Sequence, residues 1–183
     1  MTNILLLLGL ALLVWAVLAF NRFTRLRNQT RAAWADIDVQ LTRRHDLVPQ
    51  LVNAVQGYVG HERGVLTAVT ELRARAMAQQ SPAKLGEVET ALEQALHRLF
   101  VLKESYPDLK ANESFTQLQR DLVAIEDHLQ YARRFYNGAV RDHDTAIQRV
   151  PDMLIARAFG FQDAEFYQAR DEERSAVDVE VST

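Results

Sequence analysis

Hydrophobic positions along the chain follow two spacings, a continuous run and then steps of three and four. Residues 4–20 form an unbroken apolar run, ILLLLGLALLVWAVLAF, interrupted only by Gly9. From Asn28 to Val59 the apolar residues Ile37, Leu41, Val48, Leu51, Val52, Val55 and Tyr58 recur at steps of three and four, which predicts an amphipathic helix. Nothing between the run and Val48 forces a break, so the two segments can be continuous. Pro49 is expected to kink the helix, because it cannot donate to the carbonyl of His45 and its ring crowds that oxygen. Gly57, Gly60 and Gly64 mark a turn. A second helix is predicted on Val65, Val69, Leu72 and Ala76, ending before Ser81-Pro82, an N-cap followed by proline at the first helical position. A third carries Leu85, Val88, Leu92, Ala95, Leu99 and Leu102 and stops at Tyr106-Pro107. The fourth, capped by Asn112, runs from Phe115 through Leu118, Leu122, Ile125, Leu129, Ala132, Tyr136, Ala139, His143 and Ala146 to Val150 in the most regular heptad, coiled-coil-like spacing of the chain. Pro151 ends it, and the hydrophobic segment Met153 to Phe161 reads as a cap over the bundle end.

The pattern contains no strand alternation. It predicts an all-α protein: an N-terminal transmembrane helix (1–21), a basic juxtamembrane segment (22–31), an elongated antiparallel four-helix-type bundle (32–169) and an acidic disordered tail (170–183). The 17 residues of the run span roughly 25 Å as a helix, against a hydrocarbon core of about 30 Å. Thr2 and Asn3 can extend the run and Arg22 can snorkel. Val17-Leu18-Ala19 is a passable signal-peptide cleavage site, but Met1-Thr2-Asn3 lacks the basic residues of a signal peptide, so the run is read as retained.

Charge sharpens this organisation. The net charge of -3 equals that of the tail alone, where five acids face two arginines from Arg170 onward. Upstream, a +4 collar of Arg22, Arg25, Arg27 and Arg31 is balanced by a -4 bundle. The positive-inside rule then places the long C-terminal part in the cytoplasm and a short N-terminus outside, single-pass in a bacterial inner membrane. The collar either sets topology only or also touches anionic headgroups. A neutral body argues against nucleic-acid binding. The absence of cysteine removes disulfides, thiolate zinc sites, a cysteine nucleophile and a lipidated N-terminal cysteine.

Helical bundles often house di-iron centres built on Glu-x-x-His pairs. None of His45, His61, His97, His128 and His143 has a glutamate three residues before it. His61-Glu62 is not followed by the second histidine of a zincin, and no phosphate loop or nucleophile elbow is present. No catalytic residue, metal or cofactor is therefore expected, and the chain is read as non-enzymatic. Two polar clusters remain. Asp38, Arg43, Arg44, His45 and Asp46 surround the proline kink, with Asp38 and His45 on one face. They form either a small binding site or a hydrogen-bonded layer that fixes register, with the arginines solvated. Arg133, Arg134, Phe135, Tyr136 and Asn137 form the second; Tyr136 and Asn137 need partners, and carboxylates of a facing helix would serve. His143 is read as paired with a neighbouring carboxylate, or more sharply as a pH switch. Asn112-Glu113-Ser114 matches a glycosylation acceptor but is read as a helix cap.

Together the segments resemble the LemA family of bacterial membrane proteins. The resemblance rests on AWADIDVQLTRRHDLVPQLV at 33–52, Gly57-Tyr58, His61-Glu62, YPDLKAN at 106–112, Leu118-Gln119 and RRFYN at 133–137. It extends from about Asn21 to Phe166. His143-Asp144 stands where the family often has Tyr-Asn, which puts a role for that pair in doubt, and Val150-Pro151 where it often has Phe-Pro. The resemblance implies one membrane helix and a cytoplasmic helical bundle, and it supplies no activity. The expected partners are membrane lipid and an unidentified protein bound by a scaffold or interaction module. The alternative is a self-associating homo-oligomer that organises or shapes membrane.

Overall fold

The computed structural model describes residues 2–58 and 63–167. Every regular element among them is helical: α1 (Thr2–Gln56), α2 (Arg63–Met77), α3 (Pro82–Leu102), a 3₁₀ turn (Lys103–Ser105), α4 (Pro107–Lys110), α5 (Glu113–Gln148) and α6 (Met153–Ala158). The tail expected at 170–183, His61 and Glu62 lie outside the described residues. Helix α1 continues through Pro49 to Gln56. Asn112 caps α5 as its sequence position predicts, its Oδ1 accepting the backbone N–H of Phe115 at 3.0 Å. Ser81 occupies the N-cap of α3 with extended backbone and Pro82 opens the helix, but the serine side chain makes no capping bond.

The chain forms two compact units, and both α1 and α5 contribute to each. The first unit takes residues 2–39 and 130–166. Here α1 and α5 are antiparallel, as Trp34 meets Tyr136 while Trp15 meets Asp152. Its apolar cluster joins Ala19 and Phe23 of α1, Ala146 and Ile147 of α5 and Ala156 of α6, with Phe161 packed against them. Before that cluster, the side chains from Ile4 to Val14 are exposed. Among the described residues α1 alone is long and apolar enough to be a candidate membrane span.

The second unit takes residues 40–58, 63–129 and 167. Its core is made by four helices: Val48, Leu51 and Val55 of α1, Leu66 and Val69 of α2, Leu92, Leu96 and Leu99 of α3, and Phe115 and Leu122 of α5, with Leu109 of α4. The heptad positions of α5 are buried or half-buried from Phe115 to Ala146. Two predicted stripe members leave it. Tyr58 is exposed, its hydroxyl accepting Nδ2 of Asn112 at 3.1 Å. Val150 is also exposed, because α5 ends at Gln148 and the stripe ends with it.

Candidate functional site

The polar cluster at the middle of α1 becomes a buried charge layer in the second unit. Arg44 retains 2% of its exposure and Glu89 of α3 none. Nη1 of Arg44 donates to Glu89 Oε2 at 3.0 Å. Its other terminal nitrogen, Nη2, donates to Glu126 of α5. Nε2 of His45 donates to the second Glu89 oxygen at 2.7 Å. One carboxylate thus accepts from two adjacent α1 residues, and Arg44 bridges two helices through charge-assisted bonds.

Proline chemistry supplies the fourth side of the layer. A helical residue at 49 would normally donate its N–H to the carbonyl of His45; Pro49 has none to give. Arg73 of α2 takes that place, its Nε donating to the His45 oxygen at 2.6 Å. Helices α1, α2, α3 and α5 therefore all meet at residues 44 and 45. Burial alone would raise the pKa of Glu89, but the His45 hydrogen bond and the Arg44 charge outweigh it and hold the carboxyl below its ordinary value. The cluster can hold four helices in register and keep a carboxylate ionised out of water.

The sequence reading is corrected here in three respects. Asp38 belongs to the other unit, is exposed and does not join His45. Arg43 and Asp46 are exposed, but Arg44, expected in solvent, is buried. The partners Glu89, Glu126 and Arg73 went unrecognised. Glu89 did leave a signal. It stands three before Leu92 and four after Leu85, on the buried stripe of α3, where an apolar residue is expected.

The second polar cluster lies in the first unit. The Tyr136 hydroxyl donates to the backbone oxygen of Glu165 at 2.8 Å, so its partner is a loop carbonyl rather than a carboxylate on a facing helix. Burial first, then the negative charges of Glu165 and Asp144, push the phenol up to about 12. Asn137 is half-buried. Arg134 is exposed; its guanidinium lies 4.9 Å from the centre of the Tyr131 ring. Nδ1 of His143 donates to Asp144 at 3.0 Å, and the same carboxylate oxygen accepts the backbone N–H of Ala164 at 3.0 Å. Asp144 thus ties the loop after α6 back to α5.

Of the collar, Arg22 pairs with Asp152 at 3.5 Å and Arg27 lies 5.1 Å over the Phe161 ring. Arg25 and Arg31 are exposed. Arg27, Arg31, Thr30 and His143 line a cavity of about 290 Å³. Among the described residues, no three metal-binding side chains converge.

A leading apolar helix that runs on into a helical bundle, where a buried arginine–glutamate–histidine cluster ties four helices, defines an all-α protein with a candidate membrane span. The model of the LemA family matches residues 33–181, and the chain belongs to that family. It is similar to magnetosome protein MamQ 2 of Paramagnetospirillum magneticum, with 23% identity over 189 residues, 87% of this chain and 68% of the relative. It is also similar to Protein LemA of Metamycoplasma hominis, with 25% identity over 162 residues, 86% of this chain and 73% of the relative. Magnetosome protein MamQ of Magnetospirillum gryphiswaldense is 21% identical over 189 residues.

Proposed function

We propose that this chain is a non-enzymatic protein-interaction module, anchored by residues 4–20 at the cytoplasmic face of a bacterial inner membrane. The arginine collar supports this orientation, because Arg22, Arg25, Arg27 and Arg31 all follow the apolar run. The observation that carries the interaction reading is one face of α5 in the first unit. Tyr131 and Phe135, one turn apart, keep 68% and 55% of their exposure, and Arg134 stacks on Tyr131. Tyrosine and arginine are among the residues most enriched where binding energy concentrates, and two exposed aromatics on one helix face form an apolar patch in want of a cover. The ionisable groups of the buried layer, by contrast, bond one another, which favours a structural role for them.

A photoreactive amino acid in place of Tyr131, in the full chain and in intact membranes, tests the reading. The expected product is an adduct with another protein. Phe135→Ala should deplete that adduct without shifting the melting temperature. An adduct of two copies of the chain would favour the self-associating, membrane-organising alternative. Absence of any protein adduct would remove both.

A further inference from the structure

Helix α6 offers two unlike faces. Toward α1 and α5 it turns Ala156 and the half-buried Ile155, which pack with Ala19, Phe23 and Phe161. Away from them it turns Leu154, with 62% of its surface exposed; Phe159, just past its end, keeps 61%. Such large apolar side chains in solvent call for an explanation.

The fastening of α6 gives one. The indole Nε1 of Trp15 donates to Asp152 Oδ1 at 3.2 Å, and Arg22 pairs with the other oxygen of the same carboxylate. The Phe20 ring meets Phe159 at 5.0 Å and Phe161 at 5.6 Å, both edge to face. Every one of these α1 residues lies between 15 and 22, at the C-terminal edge of the apolar run. That run is at the short end for crossing, at roughly 25 Å against about 30 Å of hydrocarbon. None of it can be left in water, so Phe20 lies at the boundary between acyl chains and headgroups, with Trp15 within about 7.5 Å of it along the helix axis. Tryptophan favours that depth. Whatever is fastened to these residues is held at the same depth, and α6 is.

We propose that α6 and the residues beside it are a second membrane contact: Leu154 and Phe159 enter the acyl-chain boundary, while Arg22, Arg149 and Arg157, exposed around them, meet headgroup phosphates. The occupant of this face is the bilayer that holds α1. The proposal rests on α1 being the anchor, and the experiment separates the two.

The chain has no cysteine, so single cysteines can carry spin labels without background. Labels are placed at Leu154→Cys and Phe159→Cys, with Ala11→Cys as the anchor control and the exposed Gln117→Cys as the water control. The full chain is reconstituted in nanodiscs of phosphatidylcholine and phosphatidylglycerol. Collision with oxygen, which concentrates in lipid, is compared with collision with a polar nickel chelate, which is excluded from it. At 154 and 159 the oxygen-to-nickel ratio should exceed that at 117 several-fold and stay below that at 11, as expected for a depth near the acyl-chain boundary. Ratios equal to that at 117, with residue 11 in lipid, would overturn the membrane contact and leave the anchor standing. Labels at 154 and 159 shielded from both agents would mean that a second copy covers the face, and would also overturn it. A water-like ratio at residue 11 would overturn the anchor and this contact together.

Discussion

At the scale of single residues, Glu89 carries the largest consequence. It is fully buried and accepts from both Arg44 and His45. Removing one member of a buried ion pair leaves the other desolvated without compensation, a loss of about 3 to 5 kcal/mol. Glu89→Gln should therefore lower stability at neutral pH by an amount of that order, measured by urea unfolding of the full chain in detergent. The pH dependence has a definite sign. The folded carboxyl titrates below its ordinary value of 4.5, so between the folded and unfolded values the unfolded state binds more protons. The contribution of Glu89 is thus present above that value and is lost as pH falls through the folded one. The stability gap between the wild type and Glu89→Gln should narrow below pH 4.5, and a gap that stays constant through the acid range would contradict this account. Arg44 shows why the sequence concealed the pair. Arginine is rarely buried without a partner, and the partners lie 45 and 82 positions away. Nothing within a turn of Arg44 announces either of them.

At the scale of elements, the sequence was most legible where one helix decides its own pattern. The stripe of α5, the asparagine cap at its start and the proline at the start of α3 are local features, and the structure reproduces them. Pro49 is a mixed case. Its effect on the His45 carbonyl follows from covalent chemistry alone, but the donor that replaces the lost bond is Arg73, on a different helix. This gives a testable coupling. Arg73→Ala should destabilise the natural chain by about 1.5 to 3 kcal/mol, the range for a hydrogen bond from a charged group. In a Pro49→Ala background residue 49 can donate to His45 itself, so the same arginine substitution should cost much less. A double-mutant cycle on thermal or urea unfolding measures the difference directly, and additive effects would show that Arg73 does not serve the proline gap. Asp38 marks the opposite lesson. Seven residues from His45, it shares the same helix face, yet only His45 is buried. In the second unit α1 is flanked by α2, α3 and α5, so a wider arc of its surface is covered.

At the scale of the whole molecule, the two ends of the hydropathy pattern have different fates. Ile37, Leu41 and Val48 bury their side chains, whereas Ile4 to Val14 leave theirs exposed along the same continuous helix. An exposed apolar run of that length makes α1 a candidate membrane span. Leu8→Arg combined with Ala11→Arg should therefore release the chain from membranes washed with alkaline carbonate, since each arginine at mid-bilayer costs about 2.5 to 3.5 kcal/mol on insertion. Retention of the double variant in the membrane pellet would count against residues 4–20 as the anchor.

Spacing and side-chain type over a few turns suffice to read the four long helices, the asparagine cap of α5, the apolar run, the charge collar and the family, whereas α4 and the 3₁₀ turn carry no periodic signal and Ser81 stands at an N-cap without capping. The sequence also exposed Asn137, Arg134 and Tyr136 as polar groups beside a core stripe. The partner of Tyr136, and those of the buried charges of α1, came from the fold: Tyr136 bonds a loop carbonyl at Glu165, Arg44 two glutamates and His45 one, while Trp15 and Phe20 fasten α6. The reason is physical. Helix periodicity is set by neighbours three and four residues away, whereas a buried charge is neutralised by whatever the fold brings within about 3 Å, and sequence distance places no limit on that choice.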